Sequence, residues 1–285
     1  MENMSGLETL SEECFLDSLK MIYLLTGITI SINKKSMVKG RLHKRAKEIK
    51  MTSYEEYLQL VKKDLKEKAV FIDLVTTNET YFFRTPRIWN YIFDIYLPQW
   101  IVENSGRSFL VWSAAAASGE EVYSLGILLQ AFKEKNPRFK FQILGTDISS
   151  QMINLCQGGV YKGRSIENFK ITKKEWFKKY MQKQAGGKYQ VIPEIRSQIK
   201  FQTHNLFKLA VNTNHFDLVL LRNVLIYFTK ADQEKVLSLI EPSLKDSGVL
   251  IIGESESLSN IKTGYVSIQP LVYKKENIFS EEQAS

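Results

Sequence analysis

VWSAAAASGEEVYS, residues 111–124, decides how the rest of the chain is read. The apolar run SFLVWSA leads into a loop of small residues, and GEEVYSLGILLQAFKEK follows with helical spacing. Strand, tight loop and helix form the layout of a nucleotide-binding turn. In such turns glycines let the backbone approach a phosphate, and the helix N-terminus stabilises the anion. Here Ala114, Ala115, Ala116 and Ala117 stand where glycines are usual, Gly119 is alone, and Glu120 and Glu121 occupy the first helical turn. Two carboxylates there favour the helix dipole but repel a phosphate. The stretch also fails G-x-G-x-x-G, and no G-x-x-x-x-G-K-[ST] occurs in the chain. A phosphate-free adenosine derivative with a cationic tail fits better. S-adenosylmethionine, with its sulfonium and ammonium, is such a ligand.

Outward from this turn the pattern alternates. FQILGTDI, IKFQTHN, FDLVLLRN and GVLIIGES read as strands, SSQMINLCQG and DQEKVLSLIEPSL as helices, and GYVSIQ with LVYKK as a closing antiparallel pair. The expected fold is α/β, with a mostly parallel, doubly wound sheet. A lysine-rich stretch around 160–198, with AGGKYQVIPEI as a hairpin, reads as a small β insertion. Residues 1–75 read as all-helical, including a helix ending at Gly27 and one or two helices after a Ser53 N-cap. TTNETYFF is then a linker, and Thr85 as N-cap with Pro86 at the first helical position opens a helix packed through Ile88, Ile92 and Phe93.

Composition narrows the class. At 285 residues, 44% hydrophobic and 25% charged, the chain is long enough for a sizeable core. No apolar run approaches the roughly 18 residues of a membrane span. The start, MENMSGLETLSEECF, lacks a basic-then-apolar leader, so a cytoplasmic location is expected. Cys14 and Cys156 read as free thiols, and the three histidines have no ligand spacing, so no metal is expected. The net charge of +8 points to an acidic partner. Between Lys34 and Lys50 eight Lys/Arg face one acid, Glu48, while Val38, Leu42, Ala46 and Ile49 share the opposite face of one helix. Without a partner this arc is a solvated surface. The stretch lacks the interleaved aromatics of nucleic-acid binders, so no nucleic acid is expected.

Four further positions fall at carboxyl ends of strands, where ligands of open α/β sheets bind. Asp147 can accept ribose hydroxyls, or cap the next helix. Arg222, Asn223 and Tyr227 follow the fourth strand, with Asn223 alternatively a turn residue.

Together these stretches resemble the chemotaxis receptor methyltransferase family, CheR, over nearly the whole chain. Its TTN-x-T-x-FFR matches Thr76 to Arg84, and its W-S-A-[AG]-x-[ST]-x-GEEPYS matches Trp112 to Ser124. Its TDI is present at Thr146–Ile148, its NL at Asn205–Leu206, its RN-V-x-IYF at Arg222–Phe228, and its late G-[HE]-SE as GESES, Gly253 to Ser257. The resemblance implies a Rossmann-like class I methyltransferase sheet with an antiparallel last strand, a small β insertion and an N-terminal all-α domain. It implies three regions: 1–75 for substrate recognition, 76–107 as linker and first catalytic-domain helix, and 108–285 as the methyltransferase domain. It also implies that Asn78, Thr80, Arg84, Glu121, Asp147, Asn205, Leu206, Asn223 and Val224 line the S-adenosylmethionine site. Two departures are visible. Val122 replaces the usual proline after GEE, and the loop hydroxyl is shifted or replaced, with Ala117 before Ser118, which puts one cofactor contact in question.

The implied reaction is methyl transfer to glutamate side chains of chemoreceptors, leaving S-adenosylhomocysteine. A glutamate carboxyl ordinarily titrates at about pH 4.3 and needs no general base at neutral pH. That agrees with the lack of a Ser–His–Asp or Cys–His signature. Arg84 is the expected holder of the acceptor carboxylate, with a linker salt bridge as the alternative. Tyr227 shapes the transfer channel or simply packs. Arg41, Lys44 and Arg45 on the basic helix are expected to draw in the receptor's cytoplasmic, glutamate-bearing helical bundle. Reversing Arg41 and Arg45 is expected to spare cofactor binding. The insertion reads as too short to tether a receptor tail, and a monomer is expected. The competing readings are a methyltransferase on another acceptor and a non-catalytic S-adenosylmethionine-binding scaffold or signalling module.

Overall fold

The computed structural model describes residues 9–209 and 212–276. Residues 1–8, part of the start read above for a leader, lie outside them. The chain opens with four helices that share their own core of Phe15, Leu42, Tyr57, Val61 and Phe71 among others. The hydroxyl of Ser11 accepts from the Cys14 amide to begin α1, Glu12–Thr26, and Gly27 ends it in the left-handed conformation, its N–H returning to the Tyr23 carbonyl. Helix α2, Lys35–Glu48, buries Val38, Leu42 and Ala46. Ile49, one residue beyond, is half-buried. Ser53 caps α3, Tyr54–Lys63, as expected. Asp64 then breaks the run and accepts from the Lys66 and Glu67 amides to start α4, Leu65–Val75. Among the described residues no helix is long and apolar enough to cross a membrane.

The linker returns one correction. A helix does begin at Pro86, but the Thr85 hydroxyl caps nothing and its φ is 64°. Proline disfavours the right-handed helical region for the residue before it. Phe83 is also left-handed, at φ 57°. Its amide is fixed by the Ser124 hydroxyl at 2.9 Å, and the Arg84 carbonyl accepts from the Trp89 indole at 2.7 Å. Arg84 is therefore flanked by two strained residues held by packing. Helix α5, Pro86–Asn90, passes through a π-type turn at Tyr91–Tyr96 into α6, Leu97–Glu103. Ile88 and Ile92 are buried there and Phe93 half-buried.

The second core surrounds a seven-stranded sheet. In chain order its elements are β1 (Ser108–Ser113), α7 (Glu120–Lys135), β2 (Lys140–Asp147) and α8 (Ser150–Gly158). An insertion follows: β3 (Val160–Tyr161), α9 (Arg164–Thr172), α10 (Lys174–Tyr180), β4 (Met181–Lys183), β5 (Tyr189–Val191) and α11 (Pro193–Arg196). Its three short strands form a separate antiparallel sheet, with β4 and β5 as the expected hairpin. The main sheet resumes with β6 (Ile199–Thr203), β7 (Phe216–Leu221), α12 (Lys230–Ile240), β8 (Leu244–Ile252), β9 (Tyr265–Gln269) and β10 (Val272–Lys275). The strand order is β6-β2-β1-β7-β8-β10-β9. The first five run parallel, and β10 is antiparallel to both neighbours. The order reverses between β1 and β7, which opens a crevice at their carboxyl ends.

Candidate functional site

A cleft of about 230 Å³ lies at that reversal. All nine residues expected at the cofactor site line it: Asn78, Thr80, Arg84, Glu121, Asp147, Asn205, Leu206, Asn223 and Val224, joined by Tyr227. The sheet supplies its floor through the loop after β1 and the ends of β2, β6 and β7. The helical unit and the linker supply its roof, through Thr26, Ile28 and residues 76–80.

The carboxylates of Glu121, Glu120 and Asp147 are each held. Glu121 accepts from Arg222 Nη1 at 2.7 Å and from the Ser113 hydroxyl at 2.9 Å, while Arg222 Nη2 donates to the Arg84 carbonyl at 3.1 Å. The Arg222 guanidinium is buried over the Trp89 ring, 5.6 Å from its centroid. Glu120 does not line the cleft. It accepts from Ser118 Oγ at 2.6 Å, and burial pushes its carboxyl up while that bond opposes the shift. The acidic pair thus divides, with Glu121 facing the cleft and Glu120 facing the interior. The shifted hydroxyl of Ser118 is spent on Glu120.

Gly119 explains why the loop keeps one glycine. Its φ is 94°, and an added Cβ would lie 2.8 Å from the Tyr161 hydroxyl and 2.9 Å from the Cys156 sulfur. Asp147 fastens the same loop. One oxygen accepts from the Ala117 amide at 2.8 Å and the other from Ser149 N at 2.9 Å. The cap of α8 is Ser149, so the capping alternative for Asp147 is set aside. Burial raises the Asp147 carboxyl above the usual aspartate range, against the pull of these amides.

Asn205 bridges the two units. Its amide donates to the Leu25 carbonyl at 3.2 Å, and its oxygen accepts from Phe207 N at 2.9 Å. The Tyr227 carbonyl accepts from Thr29 N at 2.9 Å, a second tie to the helical unit. Asn223 is left-handed at φ 58°, so it is both turn residue and cleft residue. Arg84 donates to the Glu79 carbonyl at 3.4 Å and sits 5.9 Å from the Tyr81 ring. It takes part in no ion pair among the described residues, which sets aside the linker salt bridge.

Arg41, Lys44 and Arg45 do not line the cleft. Arg45 donates to both oxygens of Glu67, at 2.9 and 2.6 Å, and also meets Glu48 at 3.0 Å. Arg41 reaches the Val75 carbonyl and the Thr77 hydroxyl, the latter at 3.0 Å. Lys44 is exposed. For the expectation that charge reversal spares cofactor binding, these contacts remove the support at Arg41 and leave it standing at Arg45, whose partners Glu67 and Glu48 lie outside the cleft. Arg41 pins Thr77, a cleft residue, and Arg45 fastens α2 to α4.

Several cleft residues were not singled out from sequence: Thr26, Ile28, His204, Ile226 and Phe228. His204 abuts the NL element, and Ile226 and Phe228 are the two ends of the IYF element itself, so the motifs could have found them. Thr26 and Ile28 belong to the helical unit, and no local pattern ties them to the sheet. Among the described residues there is no cluster of metal-ligating side chains.

The donor set fits S-adenosylmethionine. No lysine lines the cleft, one of its two arginines is neutralised by Glu121, and the loop is walled by alanines. A phosphate would find little here, whereas a cationic adenosine meets three acidic residues, Glu79, Glu121 and Asp147, and several neutral amides. A doubly wound sheet with an antiparallel last strand and such a cleft at its switch point defines a class I S-adenosylmethionine-dependent methyltransferase. The chain belongs to the CheR methyltransferase family: the model of its SAM binding domain matches residues 78–272, and that of its all-alpha domain matches 15–76. It is similar to chemotaxis protein methyltransferase Cher2 of Pseudomonas putida, at 32% identity over 250 residues, covering 85% of this chain and 90% of the relative. Chemotaxis protein methyltransferase 1 of Pseudomonas aeruginosa is 33% identical over 253 residues, covering 85% and 89%. The protein of that name in Vibrio cholerae is 30% identical over 281 residues, covering 93% and 98%.

Proposed function

We propose that this protein methylates glutamate side-chain carboxylates of chemoreceptors, producing glutamate methyl esters and S-adenosylhomocysteine. The observation that carries this reading is Arg84, a guanidinium without an acidic partner among the described residues, in a cleft whose other arginine, Arg222, is already paired with Glu121. Such a group suits an incoming carboxylate through a charge-assisted bond. Its flanking left-handed residues fix its backbone in advance.

When bound, S-adenosylmethionine supplies an electrophilic methyl group. Asp147 would accept the ribose hydroxyls, Glu121 would face the cationic end, and Leu206 and Val224 would give apolar contacts. Asn78, Thr80, Asn205 and Asn223 would complete the polar wall. The acceptor is ionised at neutral pH, so the residues have to position it and exclude water; they need not remove a proton. Arg84 holds the carboxylate, and Tyr227 shapes the channel. Residues 1–75 would recognise the receptor, 76–107 would link, and 108–285 would carry the chemistry. Lys39, Lys44 and Lys47, exposed on α2, would draw in the acidic cytoplasmic bundle of the receptor. The reading places the protein in the cytoplasm, as a monomer, without nucleic acid or membrane insertion.

Incubation with labelled S-adenosylmethionine and a chemoreceptor cytoplasmic fragment tests it. Base-labile label on the fragment is expected. Base-stable label, or none, would overturn the proposal and favour another acceptor or a binding-only module.

A further inference from the structure

The GESES element has no role in the reading above. Its Glu256 lies in the turn after β8, 9% exposed, and its carboxylate faces backbone alone. One oxygen accepts from Val224 N at 2.8 Å and Leu225 N at 2.7 Å. The other accepts from Asn223 N at 3.0 Å and Gly253 N at 2.6 Å. Four amides from two separate loops converge on one side chain.

Three of these amides belong to the loop after β7, whose Asn223, Val224 and Tyr227 line the cleft. That loop has one 3₁₀ turn of its own, closed by Tyr227 N on the Val224 carbonyl at 3.1 Å and Phe228 N on the Leu225 carbonyl at 3.0 Å, and neither bond engages the amides of Asn223, Val224 or Leu225. Asn223 is left-handed at φ 58°, a region sparsely populated by residues with a side chain. The two loops also interlock, since a Cβ on Gly253 would lie 2.8 Å from both the amide and the side-chain nitrogen of Asn223. Glu256 takes part in no ion pair among the described residues, so amide dipoles alone stabilise its charge. Burial raises its carboxyl, and the four N–H bonds pull the other way.

We propose that Glu256 is a positioning residue for the methyl-transfer reaction: its carboxylate is an internal anion that locks the loop 222–228 in the shape that presents Asn223 and Val224 to the ligand. This role rests on the reading of the cleft as the S-adenosylmethionine site. Glutamine at this position keeps the shape but replaces one acceptor oxygen with an NH₂ aimed at N–H groups.

The test is calorimetric titration of S-adenosylhomocysteine into the native protein and the Glu256→Gln variant, with circular dichroism to establish folding. The expected result is a folded variant whose Kd rises at least about tenfold, a KM for S-adenosylmethionine that rises with it, and a kcat at saturation within about threefold of native. A purely structural role would lower the active fraction, and so the apparent kcat, while Kd and KM stayed within about twofold of native. That result would overturn the role. If Glu256→Gln does not fold, Gly253→Ala decides. It crowds the same loop with the carboxylate intact, so a similar rise in Kd supports the role and an unchanged Kd overturns it. Absence of binding by the native protein would overturn the reading of the cleft, and this role with it.

Discussion

In the helical unit Arg45 meets Glu67 at 2.6 Å, and in the catalytic unit Arg222 meets Glu121 at 2.7 Å. The chemistry of the two pairs is the same, but their surroundings differ. Arg45 keeps 19% of its side chain exposed and has a second acid in Glu48, while Glu67 also accepts from the Tyr57 hydroxyl at 3.0 Å. Arg222 is 1% exposed, and its remaining contacts are the Arg84 carbonyl and the Trp89 ring. The first pair ties two helices together away from any cleft. The second ties the acid at the start of α7 to the loop after β7, and so couples two walls of the cleft. A charge counted from sequence says nothing about which of these jobs it has.

Breaking each pair separates them. Glu121→Ala strands a fully buried guanidinium, and we expect a loss of about 3–5 kcal/mol in urea denaturation. No measurable heat with S-adenosylhomocysteine should remain. A native midpoint would refute the assigned role of the pair. Arg84, the arginine without an acid, sharpens the contrast: Arg84→Ala should lower kcat about a hundredfold by loss of acceptor positioning, with less than about a tenfold change in product affinity. Equal losses in both would assign it to cofactor binding alone. Glu67→Ala should cost about 2 kcal/mol, below the fully buried case because Arg45 reaches water and Glu48. Product affinity in the folded variant should stay native, and a large loss would show that the two units are coupled through α4.

Acid pH offers a finer probe. The Asp147 carboxyl is raised by burial, and in its proposed role the ionised form would accept the ribose hydroxyls. Product affinity should therefore hold at neutral pH and fall as pH drops through a value above the usual aspartate range. Asp147→Asn should bind more weakly at neutral pH and lose that acid limb. A limb that persists in the variant would belong to another group. Smallest is Lys44→Glu, at an exposed position on α2, which should change stability by less than about 0.5 kcal/mol. Receptor methylation should drop severalfold at low salt, and the deficit should shrink as salt screens the helix. A deficit indifferent to salt would point away from electrostatic attraction.

What the sequence discloses follows from the range of the interactions concerned. Strand–helix alternation, the Ser53 cap and the residues at strand ends are local or periodic features, and the cleft collects all nine expected cofactor-site residues. Tertiary pairings leave no such trace. Arg41 and Arg45 look like free cations four residues apart on a helix, yet their partners lie at Thr77, Val75 and Glu67. Thr85 has the composition of a cap and the backbone of a left-handed turn. Glu256 meets amides about thirty residues away in sequence, and GESES alone gives no hint of them.

Gly27 carries a consequence for how the molecule could be dismantled. A Cβ built there would fall 1.9 Å from the ring of Phe207, two residues from the Asn205 bridge. Any larger residue would act as a wedge driven against that ring, at the seam where the end of α1 meets the floor of the cleft, and would also strain a left-handed backbone.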